Sequence, residues 1–187
     1  MNFSHERLAI TGLLLLRPKI FGDARGRFSE TYRRDFLESI GQDIDFVQEN
    51  HSISPRPGTI RGLHFQRPPA AQAKLVRVVK GAVLDVAVDI RRGSSTYGQS
   101  VAVELTAEQG EQLLVPHGFA HGFCTLVPDS EVLYKCDGYY APDLEGGLRY
   151  DDPALDIVWP VAAGEAVVND RDANFPRLSD LDSPFTM

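Results

Sequence analysis

Residues 58–81 read GTIRGLHFQRPPAAQAKLVRVVKG, and the fold follows from how this stretch divides. The run KLVRVV at 74–79 is rich in β-branched residues and stops at Lys80-Gly81, the pattern of a strand closed by a turn. Alternation along a strand puts Lys74, Val76 and Val78 on one face. A lysine on an apolar face either snorkels at the strand end or points into a pocket. TIRGLHF, at 59–65, is a second short strand pattern carrying His64, and the proline-rich loop RPPAAQA joins the two. Two titratable groups on strands joined by a short loop point to a pocket, and the pattern of strands points to a barrel around it.

Outward from this pair, short strands dominate. Residues 13–16 (LLLL) before Arg17-Pro18 read as a first strand, and residues 21–26 as a turn-rich loop into an extended segment at 27–32. Residues 34–40, RDFLESI, are the one helix expected: Phe36, Leu37 and Ile40 share a side, with Gly41 as a stop. Residues 46–54 are extended again. Residues 83–90, VLDVAVDI, alternate cleanly, with Leu84, Val86, Val88 and Ile90 on one apolar face and Asp85 and Asp89 on the other. Strands follow at 100–105, 112–115, after the turn at 116–118, and at 131–135. From Tyr139 onward the chain loosens into loops. Many short strands about ten residues apart and one helix predict an all-β sandwich or barrel, as a single domain over 1–187.

Composition narrows the function. The 187 residues carry a formal net charge of -7, with no basic block that would serve nucleic acid or an anionic membrane. No apolar run approaches a membrane span, and the start of the chain lacks the basic-then-apolar order of a signal peptide. Cys124 and Cys136 have no metal or redox spacing, so the expectation is a cytoplasmic protein with free thiols.

The strand spacing resembles the cupin family. Its first motif is met by Gly58, His64, Gln66, Lys74 and Gly81, its second by Gly110, Pro116, Gly118 and His121. The resemblance implies a jelly-roll β-barrel with few short helices. Metal-binding cupins have a histidine where this chain has Gln66 and a glutamate where it has Lys74. An ammonium at a ligand position repels a cation, so neither metal nor other cofactor is expected.

RGLHFQRPPAAQAKLVRVVKG, PHGFAHGF, VLYKCDGYY and FGDARGRFSE together resemble the dTDP-4-dehydrorhamnose 3,5-epimerase family, from about Leu13 to Pro176. That family is homodimeric and metal-independent, and its substrate is a dTDP-sugar. Inverting a carbon next to a ketone needs a base on one face, an acid on the other and a donor for the enolate oxygen. His64 suits the base, titrating near neutral pH. Tyr134 suits the acid. Lys74 suits the enolate donor, a role where a fixed charge is worth about 3–4 kcal/mol. The resemblance gives the three positions these same roles.

The base needs a carboxylate to fix its tautomer. The resemblance places it at Asp172, after Arg171 where the family commonly has lysine; Asp170 competes, and Asp85 is a conceivable partner for a pocket group. It further implies substrate contacts from Arg25, Arg61 and His121 to phosphate, with Arg171 keeping its charge as a further substrate contact, from Phe28, Glu30, Gln48 and Asn50 to the nucleotide, some across a dimer, from Tyr140 stacked on the thymine ring, and from Glu145 as another contact. His51 and His117 receive no role. The leading expectation is inversion of C3 and C5 of a dTDP-4-keto-6-deoxyhexose. Inversion at C3 alone, a metal-dependent cupin and a non-catalytic sugar-binding cupin stay open beside it.

Overall fold

The computed structural model describes residues 2–162 and 164–187. The chain opens with β1 (Phe3–Arg7) and β2 (Leu14–Pro18), which pair antiparallel. A small ribbon follows, β3 (Phe21–Asp23) against β4 (Gly26–Phe28), and then α1 (Arg34–Ser39). The barrel strands come next: β5 (Gln48–Ser54), β6 (Ile60–Gln66), β7 (Lys74–Lys80) and β8 (Ala82–Asp89). After the two-residue β9 (Arg91–Arg92) the barrel resumes with β10 (Ser100–Thr106), β11 (Gln112–Val115), β12 (Phe119–Thr125) and β13 (Ser130–Cys136). The chain ends through β14 (Glu145–Gly147), the one-turn α2 (Asp170–Ala173) and β15 (Phe185–Thr186).

Two antiparallel sheets face each other, in the orders β1-β2-β11-β7-β13-β5 and β10-β8-β12-β6-β14. This is the all-β sandwich that the strand pattern predicts and the cupin-like jelly roll that the resemblance implies. Between the sheets lies a core of Leu13, Leu15, Val76, Val78, Val83, Ala87, Phe119 and Phe123. Alternation then leaves a second apolar row on the outside of each sheet, and each row has its own cover. Leu14, Leu16, Leu75 and Leu114 pack under Phe36 and Leu37 of α1. Leu63, Phe65, Val86, Val88 and Ile90 pack under the C-terminal segment through Leu148, Leu155, Trp159 and Phe185.

Some details differ from the sequence reading. The apolar face of β8 is its outer one, under the C-terminal segment, and Asp85 and Asp89 on the other face are wholly buried. Asp89 is satisfied by Arg91, Ser94 and Thr96. The expected strand at 27–32 pairs only as far as Phe28. β1 has no apolar alternation in its sequence FSHER and takes its place by pairing with β2 along the sheet edge. No helix among the described residues is long and apolar enough to cross a membrane.

Candidate active site

Residues of both sheets line a cleft with two adjoining lobes of 460 and 490 Å³. Asn50, His64, Lys74, Tyr134, Tyr140 and Glu145 border both lobes. The registers explain why these residues meet. On the first sheet Tyr134 pairs with Asn50 and Cys136 with Lys74. On the second, His121 pairs with His64, and Gly147 also stands opposite His64. One sheet thus supplies the lysine and the phenol, the other both histidines.

His64 is held by a buried carboxylate. Its Nε2 lies 2.9 Å from Asp172 Oδ1, whose side chain is 1% exposed. The other oxygen, Oδ2, accepts the Gly62 amide at 3.0 Å, and Asn169 caps α2 by accepting the Asp172 amide at 2.7 Å. Burial by itself would raise the Asp172 carboxyl; the His64 bond and charge and the Gly62 amide outweigh it and hold it below its ordinary value. Asp170, the competing candidate, is exposed, and among the described residues its carboxylate has no bond to His64. With Nε2 engaged, Nδ1 is the ring nitrogen left to act on a ligand.

Close approach of β6 and β12 at this point depends on glycine. Gly62 has φ 129, and a Cβ there would stand 2.5 Å from Gly122 Cα. Gly147, opposite His64, leaves room for the Phe175 ring, which meets the imidazole edge-on at 5.7 Å.

On the facing sheet, burial in the cleft pushes the Lys74 ammonium below its ordinary value, against the pull of Cys136, Glu145 and Asp85. Among the described residues it has no hydrogen-bond partner, and neither has the Tyr134 hydroxyl. Burial raises the Tyr134 phenol, which keeps its proton on at neutral pH. Asp85, by contrast, bonds His121 Nε2 at 2.8 Å, so it partners a pocket group but not His64.

The rim is a chain of polar contacts. Arg61 donates to Ser54 Oγ at 3.2 Å and the Ile53 carbonyl at 3.2 Å. Gln48 and Asn50 bond each other at 3.1 Å, and Gln48 also accepts the Tyr140 amide at 3.0 Å. Tyr140 donates its hydroxyl to Glu145 at 3.0 Å, and Arg171 reaches the same carboxylate at 2.6 Å. Eleven of the fourteen residues expected at the site therefore line this cleft: His64, Lys74, Tyr134 and Asp172 with Gln48, Asn50, Arg61, His121, Tyr140, Glu145 and Arg171. Arg25, Phe28 and Glu30 do not. Arg25 pairs with Asp23 on the β3–β4 ribbon, Phe28 is 67% exposed, and Glu30 accepts from Asn2.

The sequence reading passed over Ser52, Phe123, Asn169 and Phe175. Only Asn169 had a legible signal, an asparagine three residues ahead of Asp172 in the spacing of a helix cap. His117, which received no role, bonds Asp137 at 2.8 Å on the surface, a pair in which the carboxylate raises the imidazole.

As a metal site the cleft is poor chemistry. Gln66, at the ligand position, spends its amide on the Ala70 and Tyr139 carbonyls and the Ala141 amide. Lys74 fills the glutamate position, and no three His, Cys, Asp or Glu side chains among the described residues are grouped to hold an ion.

Known proteins share this arrangement of strands. Residues 7–180 match the family model described as dTDP-4-dehydrorhamnose 3,5-epimerase. A protein of that name from Sinorhizobium fredii is 47% identical over 96% of this chain and 92% of its own. The Legionella pneumophila dTDP-6-deoxy-D-glucose-3,5-epimerase, solved in complex with dTDP-4-keto-L-rhamnose, superposes with a TM-score of 0.94 at 40% identity, covering 99% of each chain. A 3'-monoepimerase from Streptomyces bikiniensis, in complex with dTDP-quinovose, gives 0.87 at 37%, covering 93% of this chain and 87% of that one. With a family match over nearly its whole length and relatives well above the identity at which fold and family diverge, the chain belongs to the dTDP-4-dehydrorhamnose 3,5-epimerase family.

Proposed function

We propose that this isomerase inverts C3 and C5 of dTDP-4-dehydro-6-deoxy-D-glucose, giving dTDP-4-dehydro-L-rhamnose, with His64 as base, Tyr134 as acid and Lys74 as the enolate donor. One observation carries the reading: a carboxylate-bound imidazole faces an unpartnered ammonium and a protonated phenol across one cleft. His64 Nδ1 takes the proton from the carbon beside the ketone. The electron pair moves onto the 4-oxygen, where Lys74 donates to the enolate. Tyr134 then returns a proton to the opposite face; its phenolate takes a proton from water while the His64 imidazolium gives its own up to water, so both groups are reset before the same sequence runs at the second carbon. Each proton transfer by a positioned group contributes on the order of 10²–10⁴-fold. A buried charge aimed at the developing oxyanion adds about 3–4 kcal/mol. No step calls for a metal or an organic cofactor.

Asp172 is the orienter in this scheme, Arg61 and Arg171 are the cations for the diphosphate, and His121 is a further phosphate contact. Tyr140, Gln48, Asn50 and Glu145 form the nucleoside end. Arg25, Phe28 and Glu30 fit a site shared between two copies: they lie on and beside a protruding ribbon away from their own cleft, and Phe28 offers an exposed ring. We therefore propose a homodimer in which each ribbon completes the partner's site. A cytoplasmic location belongs to the same reading, supported by two buried free cysteines and a nucleotide-sugar substrate.

Inversion at C3 alone draws support from the similarity to the monoepimerase. Proton NMR of the enzyme with dTDP-4-keto-6-deoxyglucose in deuterated water separates the two. Deuterium entering at C3 and C5 supports the double epimerase, and deuterium at C3 alone replaces it with the single one. Binding without any exchange would leave a sugar-binding cupin.

A further inference from the structure

The Arg171 guanidinium lies against three groups at once. Nε donates to Asp172 Oδ1 at 3.2 Å, Nη1 donates to Glu145 Oε2 at 2.6 Å, and Nη2 lies 3.4 Å from His64 Nε2. Lysine has a single nitrogen at the end of its stem and cannot span such a set. The geometry contains a competition. Asp172 Oδ1 serves His64 at 2.9 Å and Arg171 at 3.2 Å. A guanidinium forks readily onto a carboxylate with two parallel bonds. A full fork on Asp172 would pull that carboxylate away from the imidazole and release the ring's tautomer.

What stands against that is Glu145. Its bond to Arg171 is the shorter one, and the Tyr140 hydroxyl anchors the same oxygen from the other side at 3.0 Å. Its backbone is fixed as well, because β14 pairs with β6 so that Glu145 lies opposite Gln66 while Gly147 lies opposite His64. The Glu145 side chain is only 16% exposed, against 50% for Arg171. The carboxylate is therefore the fixed member and the guanidinium the movable one. The Phe175 ring, which meets His64 edge-on, also lies 5.9 Å from the guanidinium carbon.

We propose that Glu145, beyond its place at the nucleoside end, is a positioning residue for the base: by holding Arg171 it keeps Asp172 on His64. This rests on the reading of His64 as the base. Glu145 acts through Arg171, with no contact of its own to the imidazole among the described residues. It is needed because residue 171 is an arginine, whose fork can rival His64 for Asp172.

The test uses the full-length protein and the Glu145→Gln variant, read in two ways. In substrate-free protein, the His64 ring signals in ¹H–¹⁵N spectra should move, since Arg171 shifts toward Asp172. In turnover, kcat should fall about tenfold, the scale of loss for an outer partner of an active-site histidine, in addition to any rise in KM from the altered substrate contact. Adding Arg171→Met to Glu145→Gln removes the rival; it should return the His64 signals and part of the kcat while KM rises for the lost cation. Unmoved His64 signals in Glu145→Gln overturn the proposal whatever the activity does. So does a double variant with a kcat no higher than that of Glu145→Gln alone, or a Glu145→Gln effect confined to KM. Wild-type protein without solvent exchange would instead overturn the function assigned to the cleft, and the substrate-free spectra would still decide the role of Glu145.

Discussion

Asp172 does two things that ordinarily oppose each other: it is buried, and it stays charged. Its oxygens accept from His64, Arg171 and the Gly62 amide, so the cost of desolvating the carboxylate is offset by bonds that exist only in the folded protein. Asp172→Asn therefore has two separable consequences. Turnover should drop by on the order of 10³–10⁴-fold, as when a catalytic histidine loses its carboxylate, because an amide can present its NH₂ to Nε2 and hold the wrong tautomer. Stability should also fall, with a pH dependence whose sign follows from linkage. The folded carboxyl titrates below its ordinary value of 3.8, so wild type binds fewer protons folded than unfolded in that range. Its advantage over Asp172→Asn is complete above the unfolded value and shrinks as pH falls through the folded one. Urea midpoints of the two proteins should be well separated at pH 7 and converge below about pH 4. A separation that stays constant with pH would mean that the Asp172 charge contributes nothing to folding.

At the scale of elements, the site depends on β6 and β12 running unusually close. Gly62 makes this possible, and its backbone also supplies the amide that holds Asp172. A methyl group there would meet Gly122 Cα at 2.5 Å and the His121 carbonyl at 2.8 Å, both backbone atoms that cannot rotate away, at a φ of 129 that suits only glycine. Gly62→Ala should cost about 3 kcal/mol, the upper range for overpacking, seen as a lower urea midpoint with loss of exchange activity. A variant with wild-type stability would mean that the strands have room to part. The strands themselves were legible because β6, β7 and β8 alternate or run apolar between glycine and proline stops. The weight of Gly62 was not, since a glycine within IRGLHF reads from sequence as a mild strand breaker, and only the crossing of β12 shows what it avoids. For the same reason the burial of Asp85 was not legible: alternation assigns a residue to a face, but not what covers that face. His64, Lys74 and Tyr134 could be picked out by chemistry and resemblance. The choice of Asp172 over Asp170 needed the fold, because α2 is a single turn and two residues along it decide which carboxylate turns inward.

For the whole molecule, the open question is where the β3–β4 ribbon works. Arg25, Phe28 and Glu30 are the expected site residues that this chain does not bring to its own cleft, and the ribbon pairs with no other strand. In the proposed dimer, each cleft borrows these residues from the neighbouring copy. Arg25→Ala should then raise KM by roughly 10–100-fold, the worth of a charge-assisted bond of about 1.5–3 kcal/mol, and leave kcat nearly unchanged. His64→Ala should abolish turnover while keeping the ribbon intact. Co-refolding the two variants gives mixed dimers in which the Arg25→Ala subunit has a good cleft and its His64→Ala neighbour lends it a good ribbon. One fully competent site per mixed dimer is expected, so activity with the KM of wild type should emerge from two parents, one dead and one weak-binding. If each ribbon serves its own cleft, mixing can only dilute the Arg25→Ala enzyme, with its raised KM preserved. The two outcomes differ in KM rather than in amount of activity, so incomplete exchange of subunits lowers the signal without changing which arrangement it identifies.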